Sequence, residues 1–203
     1  MSRQVAGTKP ERVFLGLGTN MGDRLRYLRR ALYTLGSQPE IRVQAVSGIY
    51  ETEFVGEGQQ DPYYNACVQI ETTLAPAELL AFLKTAEQSE GRGSDGHLKP
   101  RPIDLDILLF GDKILTGERL HVPHKGMRDR AFVLEPLTEI AAAEKFPDSG
   151  ETIAEACAKI RRKSGPWIVP LTQESLLPAK AGESRPWDLN KEDWRAALAV
   201  HCR

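Results

Sequence analysis

Two hydrophobic periods alternate along the first half of the chain. Residues 12–18 (Arg-Val-Phe-Leu-Gly-Leu-Gly) read as a strand, and Leu25, Leu28, Leu32 and Leu35 then recur at helical spacing. Asn20 or Asp23 is the expected cap of that helix and Gly36 its stop. Residues 41–51 alternate again through Ile41, Val43, Ala45, Ser47 and Ile49. A polar, glycine-containing loop at 54–62 leads to a further strand at 64–73, with Ala66, Val68 and Ile70 on one side. Pro76 stands where the first turn of a helix tolerates proline. That helix carries Leu79, Leu80, Leu83 and Ala86 inward and runs to about Gly91. A second polar loop, 91–100, holds Gly91, Gly93 and Gly96, as a mobile lid would. Residues 101–110 then alternate strictly. Residues 113–122 look like one short strand, and 128–143 like a helix that Pro136 kinks or breaks.

The order strand, helix, strand, strand, helix, strand is the split βαβ pattern. It predicts an α+β fold: a ferredoxin-like sandwich, with a mixed, mainly antiparallel sheet, helices packed on it and mobile loops around the site. Residues 1–11 read as an N-terminal extension, 12–163 as the principal domain and 164–203 as a C-terminal extension. From Ser164 to Pro186 the chain is rich in Pro, Gly, Ser and Lys, which suggests a linker or a meandering wrap. Asn190 is the expected cap of a closing helix, with Asp193 in its first turn and Trp194, Ala197, Leu198 and His201 along one face. Trp167, Trp187 and Trp194 all lie in this tail, so it should dock on the body or on a partner.

Composition narrows the function classes. A net charge of -1 gives no electrostatic footprint for nucleic acid or for a membrane surface. The first ten residues lack the apolar core of a secretion signal, and no apolar run approaches spanning length. Cys67, Cys157 and Cys202 are odd in number and widely spaced. A cytoplasmic location without a structural disulfide or zinc site is the simplest expectation.

The chemistry concentrates in Arg101-Pro102-Ile103-Asp104-Leu105-Asp106-Ile107-Leu108-Leu109-Phe110. Ile103, Leu105, Ile107 and Leu109 share one face of this strand, and Asp104 and Asp106 share the other. Two carboxylates one pleat apart repel each other. Either they form a solvated face or they hold a cation, and Mg2+ is commonly held by one or two carboxylates plus substrate phosphates. Arg92 and Arg101 flank the glycine loop and suit a phosphate clamp. Glu87 falls near the buried side of its helix, facing nucleoside or lid, or else stands as a surface charge. Tyr63, Tyr64 and Asn65 offer an aromatic plate and an amide to a flat heterocycle, or plain strand packing. Phe132 is a second plate or a core residue. Of His121 and His124, a single histidine meeting phosphate is favoured over a metal pair, because Pro123 interrupts regular spacing. Gly16, Gly18, Asn20 and Gly22 resemble a phosphate-cradling turn without its lysine, and are read as a flexible loop lining the site.

Taken together these stretches resemble the 6-hydroxymethyl-7,8-dihydropterin pyrophosphokinases (HPPK) of folate biosynthesis. The matching blocks are Phe14 to Asn20, Tyr50-Glu51-Thr52, Tyr63 to Ala66, Glu87 through Arg92, Arg101 to Gly111, and Val122-Pro123-His124 through Leu137. The resemblance covers about residues 12 to 160 in order. It implies a transferase that moves pyrophosphate from ATP to the pterin alcohol with two Mg2+ ions on Asp104 and Asp106. It implies that Tyr63 and Phe132 sandwich the pterin, while Asn65, Thr52 and the backbone near Val55 read its edge beside the loop that Asn20 opens. Glu87, Arg92, Arg101, His124 and Arg130 would meet ATP, with Arg92 and Arg101 aiding catalysis. Ser94, Leu98 and Glu53 depart from residues common in the family, which bears on the lid's contacts. The resemblance implies small-molecule substrates and a monomer, and leaves open a tail-mediated dimer or contact with another folate enzyme. Two rivals share the fold class. A palm-type nucleotidyl transferase would want a basic groove, and an RNA-binding module would want aromatics where Asp104 and Asp106 stand.

Overall fold

The computed structural model describes residues 9–56, 58–91, 101–162, 168–171, 174–178, 180, 188–190 and 192–202. In chain order the elements are β1 (Glu11–Thr19), α1 (Arg24–Ser37), β2 (Ile41–Val46), β3 (Tyr50–Thr52), β4 (Tyr63–Thr72), α2 (Pro76–Ser89) and β5 (Asp104–Phe110). They continue as β6 (Leu115–Thr116), β7 (His121–Val122), a 3-10 turn (Met127–Asp129), α3 (Ala131–Ala141), α4 (Ile153–Arg161), β8 (Ile168–Pro170) and α5 (Trp194–His201). The main sheet runs β5-β1-β4-β3-β8, and β2 also pairs with β4. Every described pairing is antiparallel. This is the ferredoxin-like α+β order, extended by one strand from the tail.

The stretch 41–51 is one strand interrupted. Between β2 and β3, Ser47 turns inward: its N–H donates to the Cys67 carbonyl at 2.9 Å, and its Oγ accepts from the Cys67 N–H at 2.8 Å. The side chain replaces a rung of the ladder, so β4 stays satisfied across the break.

The two faces of the sheet carry separate cores. On one, Val13, Leu15, Leu17, Val68, Ile70, Leu105 and Ile107 pack against Leu28, Leu32 and Leu35 of α1 and Leu79 and Leu83 of α2. On the other, Phe14, Cys67 and Leu108 pack under Leu134 and Leu137 of α3 and Ile153 and Cys157 of α4. That second cover spans only part of its face. Beyond Phe14 the same side of β1 presents Gly16 and Gly18, and the sheet lies open as a cleft.

Several local expectations need correction. Gly36 lies inside α1, and a Cβ there would come within 2.6 Å of the Trp194 indole, so the glycine makes room for α5. Asp193, not Asn190, caps α5 by accepting from the Ala196 N–H at 3.2 Å. Pro136 sits within α3 without ending it. Residues 113–122 form two short strands of a hairpin. The sequence reading had no separate element for α4, which Thr152 and Glu155 cap reciprocally.

The described part of the tail docks on the body, one of the two alternatives left open for it. Trp194 and Leu198 are buried against α1, Ala197 is half-buried and His201 is exposed. Leu176 joins the same core. Trp167 and Trp187 lie outside the described residues. No helix among the described residues is long and apolar enough to cross a membrane, and all three cysteines are free.

Candidate active site

The cleft has a volume of about 340 Å3. Its floor follows from the register. Gly18 lies between Asp104 of β5 and Asn65 of β4, and Gly16 lies between Asp106 and Cys67. Side chains on that face of β1 would fill the trough. A Cβ on Gly18 would already stand 3.3 Å from Asn65 Oδ1. Gly16 and Gly18 are therefore strand residues that lower the floor, in line with the strand expected at 12–18 and not with a flexible loop.

At the β5 edge stand the charges. The Asp104 and Asp106 side chains are 24% and 37% exposed. Arg101 NH1 lies 2.7 Å from Asp104 Oδ2, and His124 Nε2 lies 3.9 Å from Asp106 Oδ2. Partial desolvation in the cleft, and then the negative charge of Asp104, push the Asp106 carboxyl above the usual carboxylate range; His124, Lys84 and Arg130 oppose this. Burial lowers the His124 pKa despite Asp106, which favours a neutral imidazole. Lys84 and Arg130 also line this part of the cleft, and the Arg130 guanidinium lies 5.8 Å from the Phe132 ring centroid. His121 is turned away from this group, with its Nδ1 2.7 Å from the Pro123 carbonyl.

Glu87 is not on the cleft surface. It is 1% exposed, and its Oε1 accepts from the Leu105 N–H and from Lys84 Nζ, both at 2.8 Å. Leu105 lies between the two aspartates, so this carboxylate fixes the strand that carries them. A hydrogen bond from a backbone N–H to a buried carboxylate is among the stronger kinds.

At the β4–β3 end the cleft is aromatic and amide-lined. Asn65 Nδ2 donates to Thr52 Oγ1 at 2.8 Å, which fixes the rotation of the amide. Both residues are buried, Thr52 at 2% and Asn65 at 6% exposure. Tyr63, Phe132, Phe54 and Val55 line the walls here. The rings of Phe54 and Tyr63 are stacked, 6.2 Å apart and 21° from parallel.

Asn20 joins the loops. Its Oδ1 accepts from the Arg101 N–H at 3.0 Å, and its Nδ2 donates to Gln60 Oε1 at 3.0 Å, which also accepts from Tyr63 OH. Arg24 fixes the other end of the 54–62 loop. Its guanidinium donates to the Pro62 carbonyl and to Glu51 and lies 3.7 Å above the Tyr64 ring. Tyr64 is thereby a packing residue.

The structure thus brings Asp104, Asp106, Arg101, His124, Arg130, Thr52, Val55, Tyr63, Asn65 and Phe132 to one cleft. Asn20 meets it through the loops, and Glu87 from below. Arg92 and the proposed lid at 92–100, with Ser94 and Leu98, lie outside the described residues. Sequence reasoning missed Lys84 and Phe54. Lys84 could have been found, since it lies one turn before Glu87 on the same helix face.

Among the described residues no group of three or more His, Cys, Asp or Glu side chains is arranged to hold a metal ion. Two hard carboxylates whose repulsion is only partly relieved are still a fitting donor pair for Mg2+, whose other ligands are water and substrate phosphates.

The family model for 7,8-dihydro-6-hydroxymethylpterin-pyrophosphokinase (HPPK) matches residues 14–142. A 2-amino-4-hydroxy-6-hydroxymethyldihydropteridine pyrophosphokinase of Bacillus subtilis (strain 168) is 42% identical over 153 residues, covering 75% of this chain and 92% of its own length. The protein of that name from Methylorubrum extorquens is 43% identical over 152 residues, covering 73% and 93%. Among solved structures, wild-type Plasmodium falciparum HPPK-DHPS with pteroate superposes with a TM-score of 0.60 at 16% identity, over 76% of this chain and 43% of that longer one. At that identity the likeness concerns the fold.

Proposed function

Because the chain belongs to the 7,8-dihydro-6-hydroxymethylpterin-pyrophosphokinase family, and is a pyrophosphokinase of folate biosynthesis, we propose that it transfers the β,γ-pyrophosphoryl group of ATP to 6-hydroxymethyl-7,8-dihydropterin in a Mg2+-dependent reaction. The hydroxymethyl oxygen attacks the β-phosphorus, the bond from that phosphorus to the α–β bridging oxygen breaks, and AMP leaves. The observation that carries this reading is the row Asp104–Gly18–Asn65 across three adjacent strands. A carboxylate for the phosphate end and an amide for the heterocycle end face one trough, with nothing taller than a glycine between them.

Asp104 and Asp106 would hold the two Mg2+ ions, which supply charge neutralisation along the polyphosphate and a lower pKa at the attacking hydroxyl. Arg101, His124, Arg130 and Lys84 line the same end and offer donors to phosphate oxygens. Arg101 is paired with Asp104 in the free protein, so nucleotide binding exchanges one anionic partner for another. Arg92, carried over from the family resemblance, belongs with this group. Glu87 acts through Leu105 by holding the register of the aspartates. At the other end Asn65, fixed by Thr52, reads the heterocycle edge, the backbone near Val55 closes it, and Tyr63 and Phe132 cover its faces.

Orientation is the main contribution of this scaffold. Two reactants fixed in line along one trough lose the entropy of encounter before chemistry begins. The test is AMP release from ATP with the pterin alcohol and Mg2+. AMP should appear only when all three are present. Release of ADP, or AMP formation independent of the pterin, would overturn the reading.

A further inference from the structure

We propose that the C-terminal segment is a strap that sets the geometry of the heterocycle end of the cleft, with Val169 as its positioning residue. The idea rests on the pterin reading of that end. β3 is three residues long and begins just after the Ser47–Ile49 break. One of its sides is held by β4 and the other by β8, in the register Tyr50↔Pro170, Glu51↔Val169 and Thr52↔Ile168. β8 also lies beyond the part of the chain that the family match spans.

What β3 carries explains why its second neighbour matters. Its last residue, Thr52, accepts from Asn65 and fixes that amide. The next three residues, Glu53, Phe54 and Val55, line the cleft directly. A shift of β3 by a few tenths of an ångström is transmitted to both.

The far end of the tail is fastened as well, and to α1. Trp194 packs over Gly36, and Arg195 donates to the Gly36 carbonyl at 3.0 Å. Arg29 donates to the Ser175 carbonyl at 3.0 Å, and Arg26 to the Cys202 carbonyl at 3.4 Å. The first residue of α1, Arg24, holds Glu51 of β3 and Pro62. Both anchor points of the tail are therefore elements that shape the same end of the site.

Val169 is the point at which the strap can be loosened. The Leu171 N–H donates to the Ile49 carbonyl at 2.8 Å. Antiparallel pairs alternate between bonded and non-bonded, so Glu51 and Val169 form the next bonded pair. Pro170 occupies the non-bonded position, where its missing N–H faces outward and costs nothing. The Val169 residue is 48% exposed, so changing it disturbs little packing.

The experiment compares full-length wild type with Val169→Pro, which removes the N–H, and with Val169→Thr, which keeps it. Two readouts are taken: amide hydrogen exchange across residues 49–55, and KM for the pterin and for ATP alongside kcat. Val169→Pro should raise exchange at 49–55 and the pterin KM by about fivefold each, the scale of one lost backbone hydrogen bond. ATP KM and kcat should hold, and Val169→Thr should match wild type. A lower melting temperature with unchanged exchange and unchanged pterin KM would reduce β8 to a structural element and overturn the strap. Faster exchange at 49–55 with the ATP KM raised in place of the pterin KM would uphold the strap and sink the pterin assignment of that end. Should Val169→Pro fail to fold, Trp194→Ala loosens the other anchor, and unchanged exchange at 49–55 in that variant also overturns the proposal.

Discussion

Gly36→Ala should destabilise this protein, although the same change in most helices does the opposite. Gly36 lies within α1 at ordinary helical geometry, so alanine there gains about 1 kcal/mol of helix propensity. The added methyl would meet Trp194 Cη2 at 2.6 Å, Trp194 Cζ2 at 3.1 Å and Arg195 Cδ at 3.2 Å. The arginine stem can swing away. The indole cannot, being 3% exposed with its Nε1 donating to the Leu189 carbonyl at 3.1 Å. Overpacking of this kind costs about 1–3 kcal/mol, so the net change should be a loss of roughly 0–2 kcal/mol. For a chain of this size each kcal/mol moves the melting temperature by about 2–4 °C. The discriminating assay is a double-mutant cycle read by calorimetry. In a Trp194→Ala background the obstacle is gone, and Gly36→Ala should raise the melting temperature. A rise in the wild-type background, or the same sign in both, would refute the account of Gly36 as the seat of α5.

Asp104→Asn and Asp106→Asn should each lower kcat by well over tenfold, more than about 1.4 kcal/mol, while the melting temperature holds; full activity in steady-state assays would remove the metal role. Asn65→Ala should weaken pterin binding by about 1–3 kcal/mol in calorimetric titration and leave ATP binding unchanged; equal losses for both ligands would contradict the separation of the two ends. Arg161 hydrogen-bonds Glu135 and holds its carboxyl below the usual range. A depressed carboxylate pKa stabilises the fold above the unfolded value and is lost as pH falls through the folded one. Arg161→Gln should therefore lower the melting temperature slightly at pH 7, with the difference from wild type shrinking below about pH 4. A difference that grew on acidification would reverse that assignment. The effect stays under about 1 kcal/mol because Arg161 is largely exposed.

The Asp strand was legible from Ile103 to Ile107, where the period of two holds; beyond it a bulge at Leu108 reverses the faces, so that Leu109, expected beside Ile107, packs in the opposite core and Phe110 takes its place. Its neighbour was legible as a strand at 12–18, but its part as the floor was not: Gly16 and Gly18 also suggest a flexible loop, and only the register against Asp104 and Asn65 shows the trough they leave. Gly36 was misjudged for a related reason. A glycine near a helix end signals a stop, and only the tertiary partner, Trp194, reveals that it was needed for its size. Glu87 looked like a ligand-facing or surface charge because spacing gives its side of the helix and not the Leu105 N–H that meets it there. β8 escaped altogether. Ile168-Val169-Pro170 is too short for periodicity to register, and it is a strand only because β3 offers an edge. The cap of α4, Thr152 with Glu155, is legible in the sequence as a capping pair.

The outward placement of Pro170 has a consequence for how this protein behaves in crowded solution. The last strand of a sheet ordinarily offers a row of free backbone donors and acceptors that recruits strands from other molecules. Here the outermost strand is three residues long, and proline withdraws one of its two outward N–H groups, leaving that of Ile168. A second copy approaching this edge finds one donor fewer beside the outward carbonyls of Ile168 and Pro170. At this edge β8 covers β3, and an unfastened β8 would expose β3, whose three residues include no proline, as a new edge.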